Sequence, residues 1–327
     1  MGTEGIRLTT YFTERHRGAS VPPGDDLIDL YRRLEVAASI VLRDAAVIAV
    51  DTRPKIEAVL DQTLRLSRPL LVTTEQTQLL TGDIKPVGLS ENPGEATRLT
   101  VYFGRQDRVY QVPAFEVVCE LLYRRGVAGA TILPGIDGTK LGRRCRGRFL
   151  HRDADVPLTA VAVGSGDQIG MVLPEVGALF RHPLMTVEKV RVCKRDGRLI
   201  GRPELAPGLD NQGAAARLKL TVYTSEAARH DGQPVHRELV RRLRSAGITD
   251  AASLRGVWGF HGNHAPHGER FPHLARHIPA VTTAICRSEL VSAAFDIIDA
   301  LTSQRGLVTA ETLQAVSQAP SVWHNES

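Results

Sequence analysis

Arg98-Leu-Thr-Val-Tyr-Phe103 returns as Lys219-Leu-Thr-Val-Tyr-Thr224 and again as Arg7-Leu-Thr-Thr-Tyr-Phe12. Tyr102 and Tyr223 stand 121 residues apart, and Tyr11 and Tyr102 stand 91 apart. The 121-residue offset also aligns Gly129-Ala-Thr-Ile-Leu-Pro-Gly-Ile-Asp-Gly138 with Asp250-Ala-Ala-Ser-Leu-Arg-Gly-Val-Trp-Gly259, and Ala37-Ala-Ser-Ile-Val-Leu42 answers the start of that stretch. Recurrence at a fixed offset marks a repeated structural unit. The chain is read as three tandem copies.

Each copy reads as strand, helix, strand, strand, helix, strand. In the second, Leu99, Val101 and Phe103 alternate on one face, the pattern of a half-buried strand. Phe115, Val118, Leu121 and Leu122 recur at helical spacing, with Gly126 placed to end the helix. Pro157–Val163 reads as a strand, then a helix carries Ile169, Val172, Leu173 and Val176, with Pro174 expected to kink or shorten it. The third copy has helices through Leu239 and Leu243 and through Phe295 and Ile298, with Ser288 as the expected N-cap of the latter. The first has Leu27, Leu30 and Tyr31, then Ile56 and Val59 behind Pro54. The order β-α-β-β-α-β is the ferredoxin-like arrangement, whose sheet carries helices on one face and leaves the other to be buried. The expected fold is α+β, with repeats over residues 5–84, 96–195 and 216–318 forming an intramolecular pseudo-trimer. Thr74–Ala96 and Arg195–Ala216, rich in Gly, Pro and polar residues, read as linkers.

The repeats resemble the PII-like proteins of domain-of-unknown-function family 190. The third matches best, with Leu220-Thr-Val-Tyr223, Gly232-Gln-Pro234 and Arg255-Gly-Val-Trp-Gly-Phe-His-Gly262. The second keeps Leu99-Thr-Val-Tyr102 and Gly129-Ala-Thr131 but departs at Pro134-Gly-Ile-Asp-Gly138. The first departs most. With Ser39 set against Thr131 and Ile56 against Ile169, about 21 loop residues are missing from it. The resemblance implies a PII fold. PII proteins are homotrimers that bind adenine nucleotides between subunits and touch a target protein through a flexible loop. Relatives are often encoded beside fluoride exporters, which implies a regulatory role toward a membrane transporter or channel. Three repeats in one chain imply a monomer with three chemically different clefts, and the missing loop of the first repeat implies that its cleft or its partner contact is degenerate.

Two stretches carry candidate chemistry. Lys140, Arg143, Arg144, Arg146, Arg148 and Arg152 form a basic run without an acid, and Gly135, Gly138 and Gly142 precede or interrupt it. Arginine suits bidentate contact with phosphate or carboxylate, and glycine lets a backbone approach a ligand. Gly135, Gly138, Lys140, Arg143 and Arg144 are therefore candidates for binding a nucleotide or another small anion in one cleft, and Arg255, Gly256 and Gly259 in another. A solvated basic loop is the plain alternative. His261, His264, His267, His273 and His277 fall within seventeen residues. Imidazole is a common metal ligand, so His261, His264 and His267 are candidates for a divalent metal, although no cysteine pair completes a familiar site. Trp258 and Phe260 are read as packing at the root of this loop, with stacking on an adenine or a partner as the alternative.

Composition bounds the rest. The 327 residues carry 41 Lys and Arg against 36 Asp and Glu, a formal charge of +5. The hydrophobic fraction of 43% supplies cores, and aromatics at 5% lack the stacking pattern of an RNA-binding sheet. No apolar run approaches the ~20 residues that span a bilayer, and Met1-Gly-Thr-Glu-Gly-Ile-Arg7 has no apolar signal core. Cys119, Cys145, Cys193 and Cys286 form no C-x-x-C pair. Cys145 alone lies among arginines that would activate a thiol. No G-x-x-x-x-G-K-[ST], G-x-S-x-G or H-E-x-x-H motif occurs. The expectation is a cytoplasmic, non-enzymatic regulator that binds a small anionic ligand, needs no cofactor and binds no nucleic acid. A metal sensor built on the histidines, or an adaptor without a ligand, is the alternative.

Overall fold

A computed structural model describes residues 2–12, 24–43, 45–67, 71–89, 92, 94–146, 156–205, 215–261, 265–268, 278–303 and 306–316. The first repeat contains β1 (Thr3–Tyr11), α1 (Asp25–Arg33), β2 (Ala38–Leu42), β3 (Ala46–Thr52), α2 (Arg53–Leu66) and β4 (Leu71–Thr81). The second contains β5 (Glu95–Gly104), a short hairpin of β6 (Arg108–Val109) and β7 (Val112–Pro113), α3 (Ala114–Arg124), β8 (Gly129–Lys140), β9 (Arg143–Arg146), β10 (Pro157–Gly164), α4 (Gly166–Ala178), β11 (Leu184–Arg195) and β12 (Arg198–Leu199). The third contains β13 (Ala215–Ser225), the hairpin β14 (Arg229–His230) and β15 (Gln233–Pro234), α5 (Val235–Ser245), β16 (Ala251–Arg255), β17 (Trp258–His261), β18 (His267–Gly268), β19 (Pro279–Cys286), α6 (Val291–Leu301) and β20 (Leu307–Val316). Stripped of hairpins, each repeat runs β-α-β-β-α-β.

Strand alternation splits each repeat into two faces. Leu8, Leu99 and Leu220 point toward their own helices and join three separate cores. Arg7, Thr9 and Tyr11 lie on the opposite face, as do Arg98, Thr100 and Tyr102, and Lys219, Thr221 and Tyr223. There the sheets meet one another, and smaller clusters such as Ile40, Leu42, Leu133 and Val281 draw on all three repeats. The half-buried reading of the Leu99 strand is corrected accordingly: β5 is buried on both faces from Ala96 to Gly104, because the second face packs on neighbouring repeats.

The last strands tie the repeats into a cycle. β4, β11 and β20 each pair along one edge with the first strand of their own repeat. Along the other edge β4 pairs with β11 over Gln78–Thr81, β11 with β20 over Arg191–Arg195, and β20 with β4 over Gln314–Val316. Sixteen strands thus share one hydrogen-bonded sheet among the described residues.

The first helix of each repeat ends the same way. Glu35, Gly126 and Gly247 adopt positive φ (52°, 73° and 86°). The amides of Val36, Val127 and Ile248 then reach back to the carbonyls of Tyr31, Leu122 and Leu243 at 2.9–3.1 Å. Four local readings change. α4 runs through Pro174 and starts from a Ser165–Gln168 capping box. Ser288 begins a 3-10 turn rather than capping α6. The linker before the second repeat begins after β4, beyond Thr81, and its Val87 and Leu89 carbonyls lie 2.4 and 2.1 Å from where Cβ atoms on Gly170 and Gly166 of α4 would stand. From Lys140 to Arg146 the basic run is the end of β8 and a hairpin with β9 rather than an open loop, and Arg148 and Arg152 lie outside the described residues.

Candidate functional site

Where the sheets converge, six buried charges form a ring. Each first strand contributes a cation (Arg7, Arg98, Lys219) and each last strand a carboxylate (Glu75, Glu188, Glu311). In the ladders Arg7 faces Glu75, Arg98 faces Glu188 and Lys219 faces Glu311. The contacts then cross between repeats. Arg7 meets Glu188 at 2.8 Å, Lys219 meets Glu75 at 2.5 Å, and Arg98 reaches Glu75 and Glu188 at 3.3 Å each and also Glu311. All six side chains are at most 7% exposed. Three positive and three negative charges leave the ring neutral, which is how buried ions remain tolerable. Sequence reading missed this ring. Its signal was the basic residue heading each copy of the Leu-Thr-x-Tyr strand.

Beside the ring lies a cavity of about 130 Å³, bordered by Tyr11, Tyr102 and Tyr223 and reaching Leu42 and Ala45 of the first repeat and Ala252 and Leu254 of the third. Burial pushes the Tyr11 phenol up, with Glu75 and Glu311 adding to it, and burial pushes Tyr223 up to about 12. The Tyr11 and Tyr223 phenols therefore stay neutral. The recurrence of the tyrosines reflects this inward position.

The junction of repeats 1 and 2 uses most of the first candidate group. The distal half of β8 pairs with β2, with Ile40 opposite Gly138 and Ala38 opposite Lys140. Cβ atoms on Gly135 and Gly138 would come within 2.6 Å of Ile40 and 2.2 Å of the Ser39 carbonyl, so both glycines serve close strand contact. Arg144 binds Asp137 at 2.5 Å, Asp29 at 2.6 Å and Asp25 at 3.5 Å, and Arg146 binds Asp25 at 2.8 Å. The Asp137 hydrogen bond, outweighing partial burial, raises the Arg144 pKa. Asp25 and Asp29 belong to α1, so this part of the basic run clamps one repeat to the next. Lys140 meets Asp107 at 3.2 Å and stands 5.7 Å from the Phe180 ring centre. Arg143 is exposed.

The junction of repeats 2 and 3 holds the second group. β17 pairs with the proximal half of β8, Thr131 opposite Gly259 and Gly129 opposite His261. Gly259 has φ 151°, and a Cβ there would lie 2.2 Å from the Ala130 carbonyl. A Cβ on Gly256 would lie 3.1 Å from the Pro279 carbonyl. Arg255 meets Glu226 at 2.8 Å. Trp258 packs edge-on against Phe115 and Phe260 against Tyr123, with centroids 5.9 and 5.4 Å apart. A cleft of about 100 Å³ lies beside this ladder, bordered by Gly129, Arg195, Thr224, His261 and Gly306. His267 sits opposite Gly259 in β18. His264, His273 and His277 lie outside the described residues, and among the described residues no group of three His, Cys, Asp or Glu side chains is placed to hold a metal. Among the described residues no helix is long and apolar enough to cross a membrane.

The family model described as DUF190, Uncharacterized ACR, matches residues 96–192 and 217–315, more than half of the chain. These stretches are the second and third repeats. Among solved structures, aspartate kinase from Synechocystis matches at 10% identity and a TM-score of 0.27, over 97% of this chain and 46% of that one. The chain thus spans about half the length of that structure, at a likeness too loose to place the two in one fold.

Proposed function

This chain belongs to the DUF190 family, and from that premise we propose that it is a PII-like regulator: an intramolecular pseudo-trimer that binds a small anionic ligand, an adenine nucleotide first among candidates, between its repeats and thereby controls a partner protein. The observation that carries the reading is the cyclic pairing of β4, β11 and β20 around a shared ring of charges. It gives one chain three inter-repeat junctions, the positions in which PII trimers bind their nucleotides. The junctions differ in chemistry. Between repeats 1 and 2, Arg144 is spent on aspartates, which leaves the exposed Arg143 and the partly engaged Lys140 to meet an anion. Between repeats 2 and 3, Arg195, Thr224 and His261 surround a cleft whose walls include Gly129 and Gly306. A guanidinium, a hydroxyl and an imidazole over glycine backbone suit a phosphate group. We place the main ligand here. Ligand binding favours the conformation that holds it best, and a partner such as a membrane transporter reads the loops so ordered.

The test is a thermal-shift and calorimetric titration with adenine nucleotides, cyclic nucleotides and inorganic phosphate. A ligand at 100 times its Kd adds ~2.7 kcal/mol of stability. Saturable stabilisation by a nucleotide, lost in Arg195→Ala and kept in Arg124→Ala, supports the reading. A flat response across the panel, or equal binding by Arg195→Ala, removes it.

A further inference from the structure

The three junctions are not equally closed. Leu42, Leu133 and Leu254 occupy one equivalent position, all facing the shared central cluster. Counting back four residues makes Ala38, Gly129 and Asp250 equivalent. β2 is paired on its outer edge by the distal half of β8, and β8 is paired by β17. β16, the third member of this set, ends the sheet: among the described residues it pairs only with β19. The missing strand is the one the first repeat lacks. Leu42 and Leu133 stand 91 residues apart, whereas Ala46 and Thr159, which face Tyr11 and Tyr102 in the ladders, stand 113 apart, so the first repeat is 22 residues short between them. The central cavity reaches this same place, at Ala252 and Leu254.

Backbone phase fixes what the edge offers. The Asp250 carbonyl accepts from the Ile285 amide at 3.1 Å, and the Gly256 amide donates to the Pro279 carbonyl at 2.8 Å. The even-numbered residues between them therefore bond to β19. Ser253 turns its amide and carbonyl outward, and the outward Ala251 carbonyl accepts from Arg244 at 2.8 Å. A carbonyl has two lone pairs, so that contact leaves room for an amide.

The two occupied edges show what fits. Gly138 faces Ile40 and Gly259 faces Thr131, equivalent positions, and a Cβ on either glycine would lie 2.2 Å from the carbonyl of the preceding residue, Ser39 or Ala130. Two residues after each glycine comes a basic or titratable side chain, Lys140 opposite Ala38 and His261 opposite Gly129. At the open edge that position is Asp250, an acid. Burial holds its carboxyl above the ordinary value although Arg217 and Arg287 act against this, so a further cation would be welcome.

We propose that the outer edge of β16 is a docking site for an extended segment of a partner protein that adds antiparallel to the sheet, places a glycine opposite Ala252 and a lysine or arginine opposite Asp250, and so supplies the strand missing from the first repeat. Strand addition gives affinity through main-chain hydrogen bonds and specificity through alternate side chains. An unpaired edge is a template for such pairing. The motif is Gly-x-Lys or Gly-x-Arg within an extended stretch.

The probe is a fluorescein-labelled peptide copying residues 135–141 of this chain, Gly-Ile-Asp-Gly-Thr-Lys-Leu, added to the full-length protein. The expected result is saturable one-to-one binding with new hydrogen-exchange protection at the Ser253 amide. Replacing the second glycine of the peptide by valine weakens binding at least tenfold, as does Asp250→Lys in the protein. The peptide change leaves the protein's folding untouched, so it decides even if Asp250→Lys unfolds. No binding, or binding indifferent to both changes, overturns the proposal. Two results in the peptide-free protein also overturn it. A Ser253 amide already protected in a monomer assigns the edge to another part of this chain, and a concentration-dependent dimer with that protection assigns it to a second copy.

Discussion

Arg7 of the first repeat donates to Glu188 of the second at 2.8 Å, although its own ladder sets it opposite Glu75. The cation of one repeat thus completes the carboxylate of another, and Arg98 extends the pattern by reaching all three glutamates. Buried ions contribute little net stability when paired and cost much when a partner is removed. The ring therefore acts chiefly on arrangement: the repeats fit together only where the charges match.

Arg98→Met removes the cation that touches every carboxylate. It leaves Glu75, Glu188 and Glu311 with Arg7 and Lys219, an excess negative charge in a dry setting. The expected loss is ~3–5 kcal/mol, read from the urea midpoint. Arg124→Ala breaks the exposed pair with Glu120 and is expected to cost less than ~0.5 kcal/mol. Equal midpoints for the two variants would show the ring to be dispensable.

Acid should act through the same ring. Burial opposes ionisation of Glu75, yet Lys219, Arg7 and Arg98 overcome it and hold its carboxyl down to about 2. Glu188 is also lowered, Arg7 and Arg98 prevailing over burial. A carboxyl depressed in the folded state gives stability that is present above its unfolded pKa and lost as pH falls through the folded one. Stability should hold above about pH 4.5, the ordinary Glu value, and decline toward pH 2. Denaturation measured at several pH values in this window should give a shallower slope for Glu75→Gln. Parallel slopes would place the acid sensitivity elsewhere.

The repeats and their element order were legible because strand alternation, helical spacing and a fixed offset are local signals. The ring was not. A single basic residue at the head of an apolar strand gives no sign of its partner, and the ladder partners Glu75, Glu188 and Glu311 are set by pairing between distant strands. The basic run was ambiguous for a related reason. Arginine recognises any carboxylate or phosphate, and the aspartates Arg144 meets are folded in from the first repeat by α1. The strand equivalence shifted by one residue, Ile40 rather than Ser39 matching Thr131, because side-chain facing, not identity, decides register. With that shift the aligned glycines, Gly138 and Gly259, prove to be close-contact positions in equivalent ladders.

Glu35 occupies the left-handed position that Gly126 and Gly247 fill in the other repeats. A residue with a Cβ pays ~1–2 kcal/mol there, partly offset by the greater freedom glycine has when unfolded. Glu35→Gly should therefore stabilise the protein by ~0.5–1 kcal/mol, seen as a higher melting temperature, and Gly247→Ala should lower it. A fall with Glu35→Gly would mean that its side chain contributes more than its backbone strain costs.

Thiol reactivity should single out one cysteine. Burial pushes the Cys119 thiol up, Cys193 up to about 11 and Cys286 up to about 12. Cys145 is the half-buried exception. Ellman's reagent should titrate one thiol quickly in the native protein and four in denaturant, and Cys145→Ser should abolish the fast phase. A fast phase that survives Cys145→Ser would show that one of the cores opens readily.

Gly259→Ala probes the junction beside the ligand cleft. The new Cβ would start 2.2 Å from the Ala130 carbonyl, at a φ of 151° that disfavours any side chain. β17 must then move off β8, taking Phe260 from Tyr123 and shifting His261 at the cleft wall. None of the ring's six residues belongs to β8 or β17, so the disruption should stay local. Hydrogen exchange should quicken at Phe260 and Ala130 while the amides of β5 and β11 keep their protection, and any nucleotide affinity of the cleft should fall with it. Uniform loss of protection would show that the β8–β17 ladder is part of the global fold rather than a separable junction.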